Sequence, residues 1–230
     1  MSYNPWPIGE LPDGFVRPEI EWARINGFWN DDPREIVNSF ENEVAAYCGS
    51  KYAVSVDCCS HGIFLALKMR DIIGNLEIPK HTYVSVPMQV IHAGSKPIFT
   101  DEEWCGFYEI GSTQIFDSAP RFTSNMYLGN GAIQVLSFQI KKRLPIGRGG
   151  MILTDSKEER DWLISARYDG RDLHSKYNSA QHVSRVGWHF YMTPEDAARG
   201  LQLLHQLPMN NEDVTSWENY PDVSLWDIWK

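Results

Sequence analysis

Apolar residues recur at helical spacing in the first well-defined stretch of the chain, "DPREIVNSFENEVAAYCG" at residues 32–49. They follow the period of one helix face at Ile36, Val37, Phe40, Val44 and Cys48. Pro33 suits the first helical position, and Gly49 suits a helix end. The pattern therefore predicts a helix with one buried face.

The following stretches alternate between strand and helix patterns. The β-rich run "YAVSV" at 52–56 leads through the small polar turn "DCCS" into "HGIFLALKMRDIIG", which ends like a helix at Gly74. Next, "HTYVSVPMQVIHAGSKPIFTD" predicts an extended start, a helical middle and a strand at residues 96–100. The run "TQIFDSA" predicts a short strand that ends in an acid.

Two further strands and two helices complete the pattern. "AIQVLSF" and "GGMILTD" predict strands, and two lysines lie on the connection between them. Ser156 with Glu159 marks the start of one helix, and Thr193 marks the start of the last helix. Repeated alternation predicts an α/β fold with a mostly parallel sheet flanked by helices. Because ligands bind at the carboxyl ends of strands in such sheets, we expect residues 57–61, 117–121 and 137–142 to converge.

The length of 230 residues suits one α/β domain with a sizeable core. Residues 1–30 carry Pro, Gly and Trp without a clear period and predict an irregular N-terminal arm. We expect residues 31–207 to form the core and residues 208–230 to form a C-terminal tail.

Composition and charge exclude several classes of protein. The chain is 43% hydrophobic and 22% charged, which is typical of a globular protein. Its formal charge is −9 and it has no basic stripe, so nucleic acid is not an expected partner. Its start lacks the features of a signal peptide, and no apolar run has the roughly 20 residues of a membrane span. We expect a soluble cytoplasmic protein with no membrane partner.

The four cysteines, Cys48, Cys58, Cys59 and Cys105, form no CxxC pair. No histidine stands at evident ligand spacing from them, so we expect no metal site. Free thiols in a reducing compartment fit this pattern best.

The turn "VDCCSHGIF" delivers small residues and a hydroxyl into a helix start, where free N–H groups favour anions. The Ser60 hydroxyl and the amides of Cys59, Ser60 and His61 are thus candidates for holding a phosphate. The alternative is that Ser60 is only a helix cap.

A second candidate is Asp117, which directly follows an apolar strand in "IFDSAP". A poorly solvated carboxylate needs a cationic or hydrogen-bonding partner, and a pyridinium N–H is one such group. The alternative is an aspartate that caps a local turn.

Lys141 and Lys142 leave the strand in "SFQIKKRL" toward the same edge. Side chains alternate along an extended segment, so we expect only one of the two to point into the cleft. A partly desolvated lysine becomes a nucleophilic amine suited to Schiff-base chemistry, whereas the alternative for either residue is a solvated surface charge.

The phosphate site, the acid and the amine together match the phosphate, the ring nitrogen and the aldehyde of pyridoxal 5′-phosphate (PLP). Tyr83, in "PKHTYVS", is a candidate for the aromatic face on which the ring lies, with a core tyrosine as the alternative.

These motifs resemble the DegT/StrS family of PLP-dependent sugar aminotransferases, which have the aspartate aminotransferase fold (fold type I). The resemblance runs from about Phe40 to Leu207. "HAGSKPIFTD" is similar to the family's G.KPVF.D, "FDSAP" to EDAAQ, and "LSFQIKKRLPIGRGGMILTD" to SF…TK.L..GEGG..VT. The last motif is the most specific of the three.

The register of SF…TK implies that Lys142 forms the internal aldimine and that Lys141 is not catalytic. The resemblance also implies Asp117 at the pyridine nitrogen, Ser60 and Ser137 on the phosphate, and Tyr83 stacked on the ring. A homodimer is expected by the same analogy, with His189, His182 or Arg185 as candidate contributions from the partner subunit.

The sequence departs from the family pattern at several positions. The family's SGT reads Cys58, Cys59 and Ser60 in this chain, and its glutamine after DAA is Pro120. The family's G.NYRM is matched by "GWHFYM", with His189 in place of asparagine and Tyr191 in place of arginine. Only about fifteen residues separate "PIFTD" from "FDSAP", where the family carries further strand and helix units. The chain also ends soon after Leu207, where the family has a small C-terminal domain.

Two functions follow from this reading. The first is an abbreviated PLP-dependent aminotransferase that acts on a keto-sugar attached to a nucleotide, with glutamate as the amino donor and Lys142 as the catalytic amine. The second is a non-catalytic binding or interaction protein on a degenerate aminotransferase fold. The joint presence of Lys142, Asp117 and Ser137 favours the enzyme.

Overall fold

The computed structural model of the chain describes residues 17–172 and 183–229. Its α-helices are α1 (Pro18–Ile25), α2 (Glu35–Cys48), α3 (Cys59–Met69), α4 (Ser85–His92), α5 (Lys157–Ala166) and α6 (Pro194–Leu204). Its strands are β1 (Tyr52–Val56), β2 (Asn75–Pro79), β3 (Lys96–Thr100), β4 (Tyr108–Glu109), β5 (Ile115–Asp117), β6 (Ile133–Ser137) and β7 (Gly150–Thr154). Short 3₁₀ helices follow at Trp217–Asn219, Val223–Leu225 and Asp227–Trp229.

The central sheet has five strands in the order β1-β7-β6-β5-β4, and β2 pairs with β3 beside it. The α/β class is confirmed, but the expected mostly parallel pairing is wrong for the central sheet. Only β5 and β6 pair in parallel there, because β7 runs antiparallel to both β1 and β6, and β4 runs antiparallel to β5. The β4–β5 and β6–β7 connections contain no crossover helix, so in each case the chain returns in the opposite direction.

Helices cover both faces of this sheet. Neighbouring strand residues point to opposite faces, and on β6 Leu136 packs in the cluster with Phe40 of α2, whereas Val135 packs in the cluster with Leu65 of α3. Helices α1, α2 and α6 lie on the first face, and α3, α4 and α5 lie on the second. The residues that follow the carboxyl ends of β1, β5 and β6 therefore meet at one edge of a three-layer structure.

Three of the predicted helix ends have the expected caps, whereas α3 ends at Met69 rather than Gly74 and α2 begins at Glu35 rather than Pro33. Gly49 follows α2 with a left-handed φ of 82°, which suits a residue without a Cβ. The hydroxyl of Ser156 accepts from the N–H of Glu159 at the start of α5. The hydroxyl of Thr193 does the same for Asp196 at the start of α6.

The N-terminal region differs from the expected irregular arm. Residues 1–16 lie outside the described part of the chain, but α1 follows them and packs against α6. Ile20 and Ala23 of α1 are fully buried and stand three residues apart, on one face of the helix. Pro18 occupies the first turn, where its missing N–H costs nothing. None of the helices in the described residues is long and apolar enough to cross a membrane.

Candidate functional site

A cavity of about 870 Å³ lies at the carboxyl ends of β5 and β6 and beside the N-terminus of α3. Polar residues from all three sequence stretches line it. Of the predicted site residues, the structure brings these six to the cavity: Cys59, Ser60, Tyr83, Asp117, Ser137 and Lys142.

Asp117, the last residue of β5, is the buried acid of this cavity and is only 4% exposed. Its Oδ1 accepts from the Ala119 N–H at 2.9 Å, and its Oδ2 accepts from the Tyr108 hydroxyl at 2.7 Å. Burial raises the pKa of Asp117 above its ordinary value, although the Tyr108 hydroxyl, the Ala119 N–H and the charge of Lys142 oppose the shift. Within residues 17–172 and 183–229, no ion pair joins Asp117 to a cation.

Tyr108 is a site residue that the sequence reasoning missed. It stands opposite Asp117 in the β4–β5 pairing and is 3% exposed. Its hydroxyl also hydrogen-bonds the buried hydroxyl of Thr82. The sequence "FYEI" at residues 107–110 has no apolar–polar alternation, and β4 is only two residues long, so no local signal marked Tyr108.

The first turn of α3 forms the predicted anion cradle. Cys58 is its N-cap in extended conformation, so the amides of Cys59, Ser60 and His61 have no acceptor within the helix. The hydroxyl of Ser60 lies 2.6 Å from that of Ser85 rather than capping the helix. Gly150 of β7 lies so close that a Cβ there would be 2.6 Å from the Cys59 nitrogen, which accounts for a glycine at this position.

His61 does not line the cavity of the described structure, although its backbone N–H belongs to the first turn of α3. The imidazole stacks on Phe190, with ring centroids 3.7 Å apart, and its Nδ1 lies 2.6 Å from Asp57 Oδ1. Burial lowers the pKa of His61, but hydrogen bonds with Asp57 and Cys58 outweigh it and raise the pKa to about 9. His61 therefore carries a positive charge at neutral pH.

Lys142 and Lys141 both line the cavity. They stand on a turn, in which the Lys142 N–H donates to the Gln139 carbonyl at 2.8 Å, so the alternation expected of an extended segment does not apply to them. The two lysines still differ. Lys142 is half-buried and its charge lowers the pKa of Asp117, whereas Lys141 is exposed.

Tyr83 and Ser137 line the same cavity at its wall and floor. Tyr83 is 61% exposed, so it is not the core tyrosine of the alternative reading. Ser137 ends β6, pairs with Gly150 of β7, and is partly exposed. Both side chains are open to a ligand in the cavity.

The C-terminal segment forms a wall of the cavity that the sequence did not predict. Val214, Thr215, Asn219 and Tyr220 line it. Backbone hydrogen bonds hold the segment in place, from Gly106 N–H to the Thr215 carbonyl at 2.9 Å and from Val223 N–H to the Lys80 carbonyl at 2.9 Å. Burial, with the nearby charge of Asp117, raises the pKa of Tyr220 to about 12, so its hydroxyl stays protonated.

The candidate partner-subunit residues lie elsewhere. His189 is exposed, and its Nδ1 is 2.8 Å from Asp169 Oδ2. The guanidinium of Arg185 lies over the Trp162 ring, 5.2 Å from its centroid. His182 falls outside the described residues. Neither His189 nor Arg185 lines the cavity of the described part of the chain.

Asp57, Cys58 and His61 correct the view that no histidine stands at ligand spacing from a cysteine. Their ligand atoms all lie within 4.8 Å of one another, because residues three and four apart meet on a helix. Both oxygens of Asp57 are already occupied, one by His61 and the other by Arg148 at 2.7 Å. A metal ion would have to displace these contacts.

Comparisons with known proteins identify the family of the chain. The model of the DegT/DnrJ/EryC1/StrS aminotransferase family matches residues 16–106 and 120–220. Asp117 and Tyr108 fall between the two matched ranges, so the place of Tyr108 in the site rests on the structure, and that of Asp117 rests on the structure and on its sequence motif.

Two curated proteins and one solved structure illustrate the likeness. The chain is 26% identical to the spore coat polysaccharide biosynthesis protein SpsC of Bacillus subtilis, over 82% of this chain and 61% of that protein. It is also 26% identical to GDP-perosamine synthase of Escherichia coli O157:H7, over 79% and 61%. The structure of NtdA from Bacillus subtilis with bound cofactor PMP superposes with a TM-score of 0.66 at 19% identity, covering 83% of this chain and 52% of that one.

The chain thus spans about three fifths of the length of these curated relatives. The structural likeness shows that the chain has the fold type I architecture over the part of the fold that it covers. Since the family model matches most of the sequence, the chain belongs to the DegT/DnrJ/EryC1/StrS aminotransferase family.

Proposed function

We propose that this chain is a PLP-dependent aminotransferase that acts on a keto-sugar attached to a nucleotide, with glutamate as the amino donor. The observation that carries the proposal is the meeting of Lys142 and buried Asp117 in one cavity, close enough for the lysine charge to lower the pKa of the acid. The likeness to GDP-perosamine synthase supports the substrate class.

The residues of the cavity fit PLP. Asp117 is a buried carboxylate without an ion-pair partner in the described residues, and a protonated ring nitrogen would supply the missing cation. The α3 amides and the hydroxyls of Ser60 and Ser137 suit a phosphate group. Lys142 supplies the amine for the aldehyde.

When bound, PLP supplies an electron sink for a carbanion next to nitrogen. Asp117 keeps the ring nitrogen protonated, and Tyr108, backed by Thr82, holds the carboxylate in place. Lys142 Nζ moves a proton to and from the reacting carbon as a general base and acid, which contributes about 10²–10⁴-fold in rate. Tyr83 and Tyr220 supply aromatic surface against which the ring would lie.

The rim of the cavity carries further cations. Lys141, Arg143 and Arg148 line it, in a chain whose net charge is −9. Such a local excess of positive charge attracts anionic ligands. The carboxylates of glutamate and the diphosphate of a nucleotide sugar both meet this requirement. A homodimer and a cytoplasmic location complete the proposal.

The test is a half-reaction with purified protein and PLP. Glutamate should form 2-oxoglutarate in an amount equal to the bound PLP, and the cofactor's visible absorbance should shift at the same time. PLP binding without 2-oxoglutarate would instead support a non-catalytic binding protein.

Tyr108→Phe is expected to shift the pH dependence of PLP binding. The Tyr108 hydroxyl lowers the pKa of Asp117, so removing it raises that pKa further. Protonated Asp117 cannot pair with the ring cation, and PLP affinity should therefore begin to fall at a higher pH than in the wild type as the solution is acidified. Fluorescence titrations with PLP at a series of pH values measure this change in affinity. Tyr127→Phe, which alters a tyrosine outside the cavity lining, is the control. If PLP affinity begins to fall at the same pH in Tyr108→Phe as in the wild type, the role assigned to Tyr108 is wrong.

A further inference from the structure

A cysteine, a histidine and an aspartate meet at one edge of the cavity, and the proposed reaction uses none of their side chains. We call Asp57, Cys58 and His61 the Cys58 cluster. Cys58 lines the cavity and is half-buried, and it is the N-cap of α3. His61 lies behind it, and the ligand atoms of the three residues are all within 4.8 Å.

The geometry of the cluster is fixed from several sides. The His61 ring is stacked on Phe190 with an interplanar angle of 13°. Asp57 holds its Nδ1, and Arg148 in turn holds Asp57 through two bonds, to Oδ2 at 2.7 Å and to the carbonyl at 3.2 Å. The imidazole therefore stays in place beside the thiol.

Positive charge from His61 and from the helix end lies beside the sulfur, and the carboxylate of Asp57 opposes it. Since the pKa of His61 is raised to about 9, the imidazolium is present at neutral pH. The N-terminal end of α3 adds the positive end of the helix dipole. The other charged groups that face the cluster are Asp57 and Arg148, and Asp196 at the start of α6 acts on Arg148. A cysteine beside an imidazolium at a helix N-terminus is the environment in which thiolates are stabilised.

The other three cysteines lack this setting. Cys48 is fully buried, and burial raises its pKa far above the usual range. Burial and the charge of Asp117 also raise the pKa of Cys59 well above its ordinary value. Cys105 is exposed but belongs to no histidine-containing cluster in the described residues.

We propose that Cys58 is a reactive thiol, activated by His61, that takes up small disulfides and other electrophiles entering the cavity. In the disulfide case, the Cys58 thiolate attacks one sulfur, a new S–S bond forms as the old one breaks, and the released half leaves as a thiolate that takes a proton from solvent. The attached group then occupies the edge of the cavity next to Ser60. Modification would thereby compete with any phosphate bound at the α3 cradle.

The test is alkylation of the protein without added cofactor by limiting iodoacetamide at pH 7, followed by peptide fragmentation to separate Cys58 from Cys59. We expect Cys58 to react at least about tenfold faster than Cys105, although Cys105 is more exposed. His61→Gln should reduce the rate at Cys58 to about that of Cys105 and leave Cys105 unchanged. Cys105 thus reports on whether the variant is folded.

A second readout uses the wild-type protein and needs no variant. The rates at Cys58 and Cys105 are compared between pH 8 and pH 6.5, and the advantage of Cys58 over Cys105 should be larger at pH 6.5. If Cys58 reacts no faster than Cys105 at pH 7, or follows the same pH profile, the proposal is wrong. Neither measurement depends on PLP binding, so the proposed function can fail without affecting this result.

Discussion

Lys142→Ala is expected to abolish the visible absorbance that PLP acquires on binding and to lower amino transfer by at least about 10²–10⁴-fold. Lys142 is the half-buried lysine whose charge acts on Asp117. Removing it deletes both the amine that bonds the cofactor and the group that moves the proton. Absorbance spectra and single-turnover rates with glutamate measure the two losses.

Lys141→Ala is the matched control, because Lys141 is adjacent and lines the same cavity but is exposed. It should retain the cofactor absorbance and most of the rate. The reverse pattern, with loss in Lys141→Ala and retention in Lys142→Ala, would show that the assignment of the catalytic amine is wrong.

Asp117→Asn is expected to weaken PLP binding by about 100-fold, which corresponds to roughly 2.7 kcal/mol. Asp117 is the buried acid of the cavity, and asparagine keeps its shape while removing the charge that would pair with the ring nitrogen. Taking away one partner of a buried pair has effects of this size. Fluorescence titration with PLP measures the affinity.

The same variant should not destabilise the protein without cofactor. Burial raises the pKa of Asp117 in the folded state. The contribution of Asp117 to the stability of the apo protein is therefore fully present below the unfolded pKa of aspartate, and it is lost as pH rises through the folded pKa. At pH 8 the variant no longer has a buried charge, so its unfolding temperature should match or exceed that of the wild type. A clear fall in unfolding temperature, with PLP affinity unchanged, would instead give Asp117 a purely structural role.

The sequence predicted the parts of the site that depend on strand ends. Ser60, Asp117 and Ser137 stand at or just after the ends of β1, β5 and β6. Each strand has an apolar pattern strong enough to be recognised. Because β1, β5 and β6 run in the same direction, the polar residues at their carboxyl ends meet at one edge of the sheet.

Strand direction and the remaining lining residues could not be predicted in the same way. The direction of β7 depends on the absence of a crossover helix after β6, and the apolar run of β7 is compatible with either direction. Tyr108 lies in a two-residue strand, below the length at which alternation is informative. Tyr220 reaches the cavity through tertiary contacts of an irregular segment, for which the local sequence has no periodic signal.

The central claim is that Lys142 bonds PLP in the cavity that also holds Asp117. Borohydride reduction of the PLP-loaded wild-type protein, followed by peptide mass mapping, tests it most directly. The account predicts one stoichiometric adduct, on Lys142. An adduct on Lys141 or on a lysine outside the cavity, or no lysine adduct at saturating PLP, would contradict it.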